Sequence, residues 1–251
     1  MSKVSAIVIA KNEENMIADC LESVQKLADE IIVVDNNSED RTAEIAKRMG
    51  AMVYACKTND FSDLRNFGLN KAAEDWILYV DADERVDNDL KTAITHLTKD
   101  SGRGNQLNTY FIKRKNFYLG NHEWPYVEKL ERFFRKSSLK GWKGELHEAP
   151  IFEGEIGELE GFLLHYTHRD LASMLSKTIE WSKIEADLRY KSNHPKMTWW
   201  RFPRVMLGAF FDSYIKQRGW KAGIVGIIES LYQSFSIFIT YARLWELQKK
   251  S

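Results

Sequence analysis

Cysteine is nearly absent: Cys20 and Cys56 are the only two in 251 residues. Two thiols without a framework exclude a disulfide-stapled secreted scaffold. Proline is scarce at 4 and glycine ordinary at 14, which excludes collagen-like and low-complexity chains. Net charge is missing too, since 36 Lys+Arg offset 36 Asp+Glu. A dedicated nucleic-acid binder carries a basic excess, so no nucleic-acid partner is expected. No signal-peptide pattern precedes the apolar run that starts at Val4, and a reducing, cytoplasmic setting is expected. Several catalytic motifs are absent as well. There is no G-x-x-x-x-G-K-[ST] loop, no G-x-G-x-x-G and no G-x-S-x-G elbow. His147-Glu148 is followed by Ala-Pro-Ile, so H-E-x-x-H is also missing. Any bound nucleotide would need metal and side chains to hold its phosphates.

What is present is an ordinary globular balance, 44% hydrophobic and 29% charged, on a chain long enough for a full core. The zero net charge hides an asymmetry. From Pro195 onward there are nine basic residues and three acidic ones, a balance of +6, so residues 1–194 carry −6. Twelve aromatic residues crowd the same tail. A basic, aromatic tail on an acidic body suggests two separate tasks.

The first hundred residues alternate strand and helix. Val4–Ile9, Glu30–Val34, Met52–Ala55 and Trp76–Val80 are short apolar runs, as expected of strands buried on both faces. Between them lie helical patterns: one with the stripe Ile17, Leu21, Val24 and Leu27, one from Ser38 to Met49, and one over Phe61–Ala73. Asn12 or Asn15 is expected to cap the first helix and Ser38 the second, with Gly50 as a C-terminal stop. Asp87 opens a further helix. This alternation predicts an α/β fold with a mostly parallel sheet and right-handed crossovers. Asn108–Leu119, Leu130–Lys136 and Gly161–Thr167 read as later strands, Leu171–Tyr190 as a helix, and the remainder as helices after Pro195.

Ligands in such sheets sit beyond the carboxyl ends of the strands, so those loops are the ones to read for chemistry. Asp81-Ala82-Asp83-Glu84 follows a strand directly. Its carboxylates repel one another, and a divalent cation explains them, with oxygen ligands suiting Mg²⁺ or Mn²⁺. A turn with a helix cap is the plain alternative. Asp35 leaves another strand where it can accept from a base N–H or a ribose hydroxyl, or else form an Asx-turn. Asn12 and Glu13 leave the first strand in the equivalent place. Arg65 can pair with a phosphate or with a carboxylate.

Four segments together are specific. They are Ile7-Val8-Ile9-Ala10-Lys11-Asn12-Glu13-Glu14, Val33-Val34-Asp35-Asn36-Asn37-Ser38, Phe61-Ser62-Asp63-Leu64-Arg65-Asn66, and Trp76-Ile77-Leu78-Tyr79-Val80-Asp81-Ala82-Asp83-Glu84. In order and spacing the chain resembles family 2 glycosyltransferases of GT-A fold. The branch it is most similar to is the bacterial glucosyltransferases of lipopolysaccharide and lipooligosaccharide core assembly. Trp142-x-Gly144-x-Leu146-His147-Glu148 and Leu164-His165-Tyr166 extend the resemblance to about residue 168.

The resemblance implies a Rossmann-like GT-A domain over 1–168, with 1–100 binding a sugar nucleotide and 101–168 on the acceptor side. It implies that Ala10, Asn12, Glu13, Asp35, Arg65, Asp81 and Ala82 line the nucleotide-sugar site. Asp83, with Asp81, would hold the metal that bridges the diphosphate. Inverting transfer also needs a base for the acceptor hydroxyl, and Glu148 is expected in that role, with Glu145 and Glu84 in reserve. His147, His165 and Glu84 are candidates to stand behind base and metal, although lone histidines are commonly structural. The implied reaction moves a hexose, glucose from UDP-glucose first, onto a lipid-linked saccharide such as the lipopolysaccharide core. Two other classes use some of the same features. Phosphotransferases of the haloacid-dehalogenase kind also place D-x-D after a strand, but Arg85 stands where they have Thr or Val. A non-catalytic sugar-nucleotide-binding protein needs no base.

The tail, 169–251, reads as a helical extension. Trp199-Trp200-Arg201-Phe202-Pro203-Arg204 interleaves rings with cations, which suits an anionic membrane surface. Packing on the main domain, or in a homo-oligomer, is the alternative. Ala222–Thr240 approaches the length of a membrane span, but Glu229 and Gln233 interrupt it. A packed or interfacial helix is expected, and with it a peripheral position at the inner face of the cytoplasmic membrane.

Overall fold

The computed structural model describes residues 2–99, 107–145 and 148–250. Strand β1 (Val4–Ala10) is buried along its whole length. It pairs in parallel with β2 (Glu30–Asp35) on one side and with β4 (Trp76–Asp81) on the other. Strand β3 (Met52–Ala55) adds to β2, also in parallel. The period-2 alternation of β1 divides its side chains between two cores. Val4, Ala6, Val8 and Ala10 join a cluster with Leu21, Val24, Leu90 and Ile94, from helices α1 (Ile17–Gln25) and α4 (Asn88–Lys99). Ile7 and Ile9 join a cluster on the other face with Leu64 of α3 (Phe61–Lys71), Tyr79 and Trp142.

Sheet order is β3-β2-β1-β4-β7-β6-β10-β5, with β5 (Glu84–Val86), β6 (Thr109–Tyr118), β7 (His122–Arg135) and β10 (Ile156–Tyr166) completing eight strands. Pairing changes from parallel to antiparallel between β4 and β7. Trp76 and Phe133 stack across that seam, with centroids 4.8 Å apart. A separate hairpin pairs β8 (Leu139–Lys143) with β9 (Ala149–Phe152). Neither the hairpin nor β5 follows from the sequence pattern.

The helix starts partly depart from expectation. Helix α1 has Met16 at its N-cap, without a side-chain bond, so neither Asn12 nor Asn15 caps it. Helix α2 (Thr42–Arg48) likewise lacks a Ser38 cap; Asp40 accepts the Thr42 N–H instead, at 3.0 Å. Gly50 lies just past α2 at φ +86° and fits the expected stop. Asp60 caps α3 through the Ser62 and Asp63 N–H groups. Asp87 caps α4 by accepting from Leu90 N–H at 2.8 Å.

The chain divides into two compact units, residues 1–115 with 128–165, and residues 116–127 with 166–251. The second unit combines the tip of the β6–β7 hairpin with the chain from Tyr166 onward. Its helices are α5 (Leu171–Lys191), α6 (Arg201–Phe211) and α7 (Gly223–Lys249). A π-helical turn at Asp212–Lys216 and a 3₁₀ turn at Gly219–Ala222 link α6 to α7.

Candidate active site

The carboxyl ends of β2, β1 and β4 bring Asp35, Ala10 and Asp81 side by side. Ala10 is paired with Asp35, and Ile9 with Asp81. Asn36 N–H donates to Ala10 O at 2.8 Å and Ala82 N–H to Ile9 O at 3.1 Å. The loops that follow β1 and β2 are laced together. Asn12, at φ +55°, donates its N–H to Ser38 Oγ (2.9 Å) and accepts from Glu39 N–H (2.8 Å). Glu13 N–H donates to Thr42 Oγ1 at 2.8 Å. These bonds fix the floor beside Asp35. That residue is buried, accepts from Ser38 N–H through Oδ2 at 3.2 Å, and keeps Oδ1 buried without a partner among the described residues. A buried acceptor left open in this way is costly and suits an incoming N–H donor.

Arg65 is the centre of the other half. It lies on α3, only 2% exposed, with its guanidinium 4.9 Å from the Trp142 ring and 5.6 Å from that of Tyr79. Nε and Nη2 donate to Glu148 Oε1 at 2.9 and 2.7 Å, and Nη2 also donates to Asp81 Oδ1 at 3.2 Å. The hairpin is pinned to α3 by Asn66, which donates to Trp142 O (3.0 Å) and accepts from Trp142 N–H (2.8 Å). Phe61 N–H donates to Glu145 O at 2.9 Å, while the Glu145 side chain is exposed. Glu148, the residue just before β9, is thus held against the strand ends. Glu145 is held there by its backbone carbonyl.

Asp81, expected as a metal ligand beside Asp83, is engaged by arginines in this structure. Both its oxygens accept from guanidinium groups, Oδ1 from Arg65 and Oδ2 from Arg132 Nη2 at 2.9 Å. Burial pushes its pKa up, but Arg132 and Arg65 outweigh this and hold the carboxyl well below the usual range. Glu84 is fully buried. It accepts from Asp81 N–H at 2.9 Å and from Arg114 Nη1 at 3.1 Å, and Arg114 also donates to Glu128. Burial alone would lower the Arg114 pKa, but Glu84 and Glu128 raise it. The mutual repulsion expected at residues 81–84 is therefore met by arginines at Asp81 and Glu84. Asp83 Oδ2 lies 3.3 Å from His165 Nε2. Among the described residues there is no group of three or more His, Cys, Asp or Glu that could hold an ion alone. Asp83 with His165 suits a cation that takes its remaining ligands from a diphosphate. His147 lies outside the described residues.

Arg132, Arg114 and Trp142 escaped the sequence reading as site residues. The signal for Arg132 was a charge directly before Phe133 and Phe134, both fully buried. A buried arginine implies a buried carboxylate partner.

The family model for glycosyl transferase family 2 matches residues 5–151, a span that holds every strand-end residue above. An uncharacterised glycosyltransferase of Rickettsia prowazekii is 28% identical over 263 residues, covering 100% of this chain and 89% of the relative. The lipopolysaccharide core biosynthesis glycosyltransferase LpsC of Rhizobium meliloti is 24% identical over 258 residues, covering 97% of this chain and 92% of the relative. Among solved structures, a mannosyltransferase of Pyrobaculum calidifontis superposes with a TM-score of 0.54 at 12% identity, over 98% of this chain and 88% of that one. The strand order, the site at the strand ends and these matches agree. The chain belongs to glycosyl transferase family 2 and is a transferase built on the GT-A fold.

Proposed function

We propose that the chain is an inverting hexosyltransferase that takes a hexose from a UDP-sugar, UDP-glucose first, to a lipid-linked saccharide of the lipopolysaccharide core type. The observation that carries this reading is the Arg65 bridge, which joins Glu148, the candidate base, to Asp81 at the end of β4. Asp35, with its open Oδ1, would receive the base N–H of the nucleotide. Asn12, Glu13, Ala10 and Ala82 would shape the floor under the ribose and diphosphate.

Asp83, backed by His165, would hold Mg²⁺ or Mn²⁺. That ion would supply Lewis-acid stabilisation of the charge that develops on the leaving diphosphate. The Pyrobaculum mannosyltransferase was solved with GDP-mannose and Mn²⁺, which makes GDP-mannose the competing donor to test. Glu148 would take the proton of the acceptor hydroxyl as that oxygen bonds the anomeric carbon and the carbon–oxygen bond to the diphosphate breaks. Both Arg65 bonds fall on Oε1, so Oε2 is the oxygen that would accept the proton. The relative from Rhizobium meliloti supports a lipopolysaccharide core acceptor, and the basic aromatic tail supports work at a cytoplasmic membrane face.

Thermal stabilisation by UDP-, GDP-, ADP- and dTDP-sugars, each with Mn²⁺, tests the donor, because a ligand of the folded state alone raises the melting temperature. UDP-glucose is expected to give the largest rise. A rise only with GDP-mannose would move the donor to the guanine series, and no rise with any of them would remove catalysis.

A further inference from the structure

The helical unit has an ordinary apolar cluster of Ala186, Met197, Tyr241 and Leu244, but the first half of α7 is packed inside out. Along α7 the buried side chains before Tyr241 and Leu244 are polar: Glu229, Ser230, Tyr232, Ser234 and Thr240. They are satisfied within the unit. Glu229, 1% exposed, accepts from Gln233 Nε2 at 2.7 Å and lies 3.0 Å from His168 Nδ1. Ser230 bonds Ser213 and Ser234 donates to Met206 O. Tyr232 donates to Met174 O at 2.7 Å, which ties α7 to α5. Over the same stretch several large apolar side chains face the other way. Ile224 (76% exposed), Ile228, Leu231 and Phe235 recur every three or four residues and form one outward stripe of α7. Leu207 (70% exposed) and Phe211, four apart, do the same on α6, which packs against α7. Water rewards the opposite arrangement, and a contiguous apolar face of this kind marks an interaction surface.

The flanks point to the partner. Each end of the stripe carries an exposed tryptophan with a cation over its ring, Arg204 by Trp200 at 5.9 Å and Lys221 by Trp220 at 5.4 Å. Trp199 and Arg218 are exposed as well. Amphipathic rings at headgroup level and cations for phosphate are what a lipid–water interface selects. By length and composition α7 with its preceding turn, Gly219–Lys249, is also long and apolar enough to cross a membrane. Glu229 interrupts its middle, and α5 carries Glu180 and Lys183 exposed at its own centre, so the unit fits in-plane insertion of one face rather than a span.

We propose that the outward face of α6 and α7 inserts into the acyl boundary of an anionic phospholipid leaflet, with Trp199, Trp200 and Trp220 at headgroup depth. This deepens the membrane reading above by naming its surface, and it stands independently of which sugar is transferred. Flotation of the full chain with phosphatidylcholine vesicles, with or without phosphatidylglycerol, tests it. Binding is expected with phosphatidylglycerol, together with quenching of tryptophan emission by brominated acyl chains. The triple variant Ile224→Glu, Leu231→Glu, Phe235→Glu is expected to weaken vesicle binding about tenfold or more while its melting temperature and sugar-nucleotide shift stay those of the parent. Added salt is expected to weaken binding without abolishing it, since apolar burial is not screened. Three results would overturn the proposal: no vesicle binding, binding without acyl-chain quenching, or binding that the triple variant leaves unchanged. A dimer of the parent chain that fails to bind vesicles and dissociates in the triple variant would assign the face to a second copy instead. The sugar-nucleotide shift reports the transferase reading separately, so either reading can fail alone.

Discussion

Arg65 and Glu148 are joined through one oxygen: Nε and Nη2 both donate to Oε1, at 2.9 and 2.7 Å. The same Nη2 reaches Asp81, so one buried cation serves two carboxylates on different elements. Burial disfavours the guanidinium charge, yet Asp81 and Glu148 more than offset it and raise its pKa. Removing Arg65 would leave two carboxylates close together with one partner fewer. Arg65→Ala is expected to destabilise the chain by about 3–5 kcal/mol, the range for breaking a buried pair. Arg65→Lys keeps the charge but not the fork geometry and is expected to recover part of that loss. Thermal melts of both variants check this; equal stability of Arg65→Ala and parent would show that the bridge is not structural.

Asp81 gives a pH signature. Its folded pKa lies below the ordinary carboxylate value, so its contribution to stability is fully present above the unfolded value of about 4. That contribution is lost as pH falls from there toward the folded value. The melting temperature of Asp81→Asn should therefore trail the parent by a constant amount from neutral pH down to about pH 5. The gap should close on further acidification. A gap that widens in acid would contradict the assignment of Arg65 and Arg132 as its partners.

Much of this site was readable in the sequence, and for a physical reason. A strand buried on both faces writes a short apolar run, and its carboxyl end writes the polar residues after it. Ala10, Asp35 and Asp81 were found that way. The hairpin of β8 and β9 was not, because Leu139–Lys143 and Ala149–Phe152 are too short and too mixed to carry a period. Arg132 was missed because a charge in a strand names no partner until β7 is laid beside β4. The orientation of α7 was equally hidden. Periodicity shows that Ile224, Ile228, Leu231 and Phe235 share a face, and it is silent on whether that face turns in or out.

Glu148→Gln is expected to separate chemistry from donor binding. The amide keeps the shape and can still accept from Arg65, but it cannot take the acceptor proton. Turnover should fall by about 10²–10⁴-fold, the range for a lost general base, with the UDP affinity nearly unchanged. Turnover within a few-fold of the parent would move the role of base to another group, with Glu145 next in line.

Asp83→Ala should abolish transfer while the protein stays folded, because the arginine bridges of this turn to Arg65, Arg132 and Arg114 are made by Asp81 and Glu84 and stay in place. One of the partners of Asp83 is His165, on β10. The Mn²⁺-dependent part of the UDP-sugar shift should vanish in this variant, and the metal-free melting temperature should move little. Full activity of Asp83→Ala would sink the metal assignment and return residues 81–84 to a plain turn.

Gly161 offers a test of the frame that presents this turn. It sits in β10 at φ +91°, a conformation glycine adopts freely and alanine does not. A Cβ placed there would lie 2.1 Å from the Leu90 backbone nitrogen and 2.7 Å from Asp87 Oδ1, the atom that caps α4. Backbone cannot step aside as a flexible side chain can, so strain and the loss of the cap act together. Four residues on, His165 is paired with Glu84 in the β10–β5 register, so a shift at Gly161 would be felt at the acidic turn. Gly161→Ala is expected to cost about 2–4 kcal/mol, combining overpacking with cap loss. It should also weaken the Mn²⁺-dependent donor shift in whatever fraction remains folded. Denaturant melts with and without UDP-glucose and Mn²⁺ measure both; a variant as stable as the parent would mean that β10 tolerates a shift away from α4 and does not set the position of Asp83.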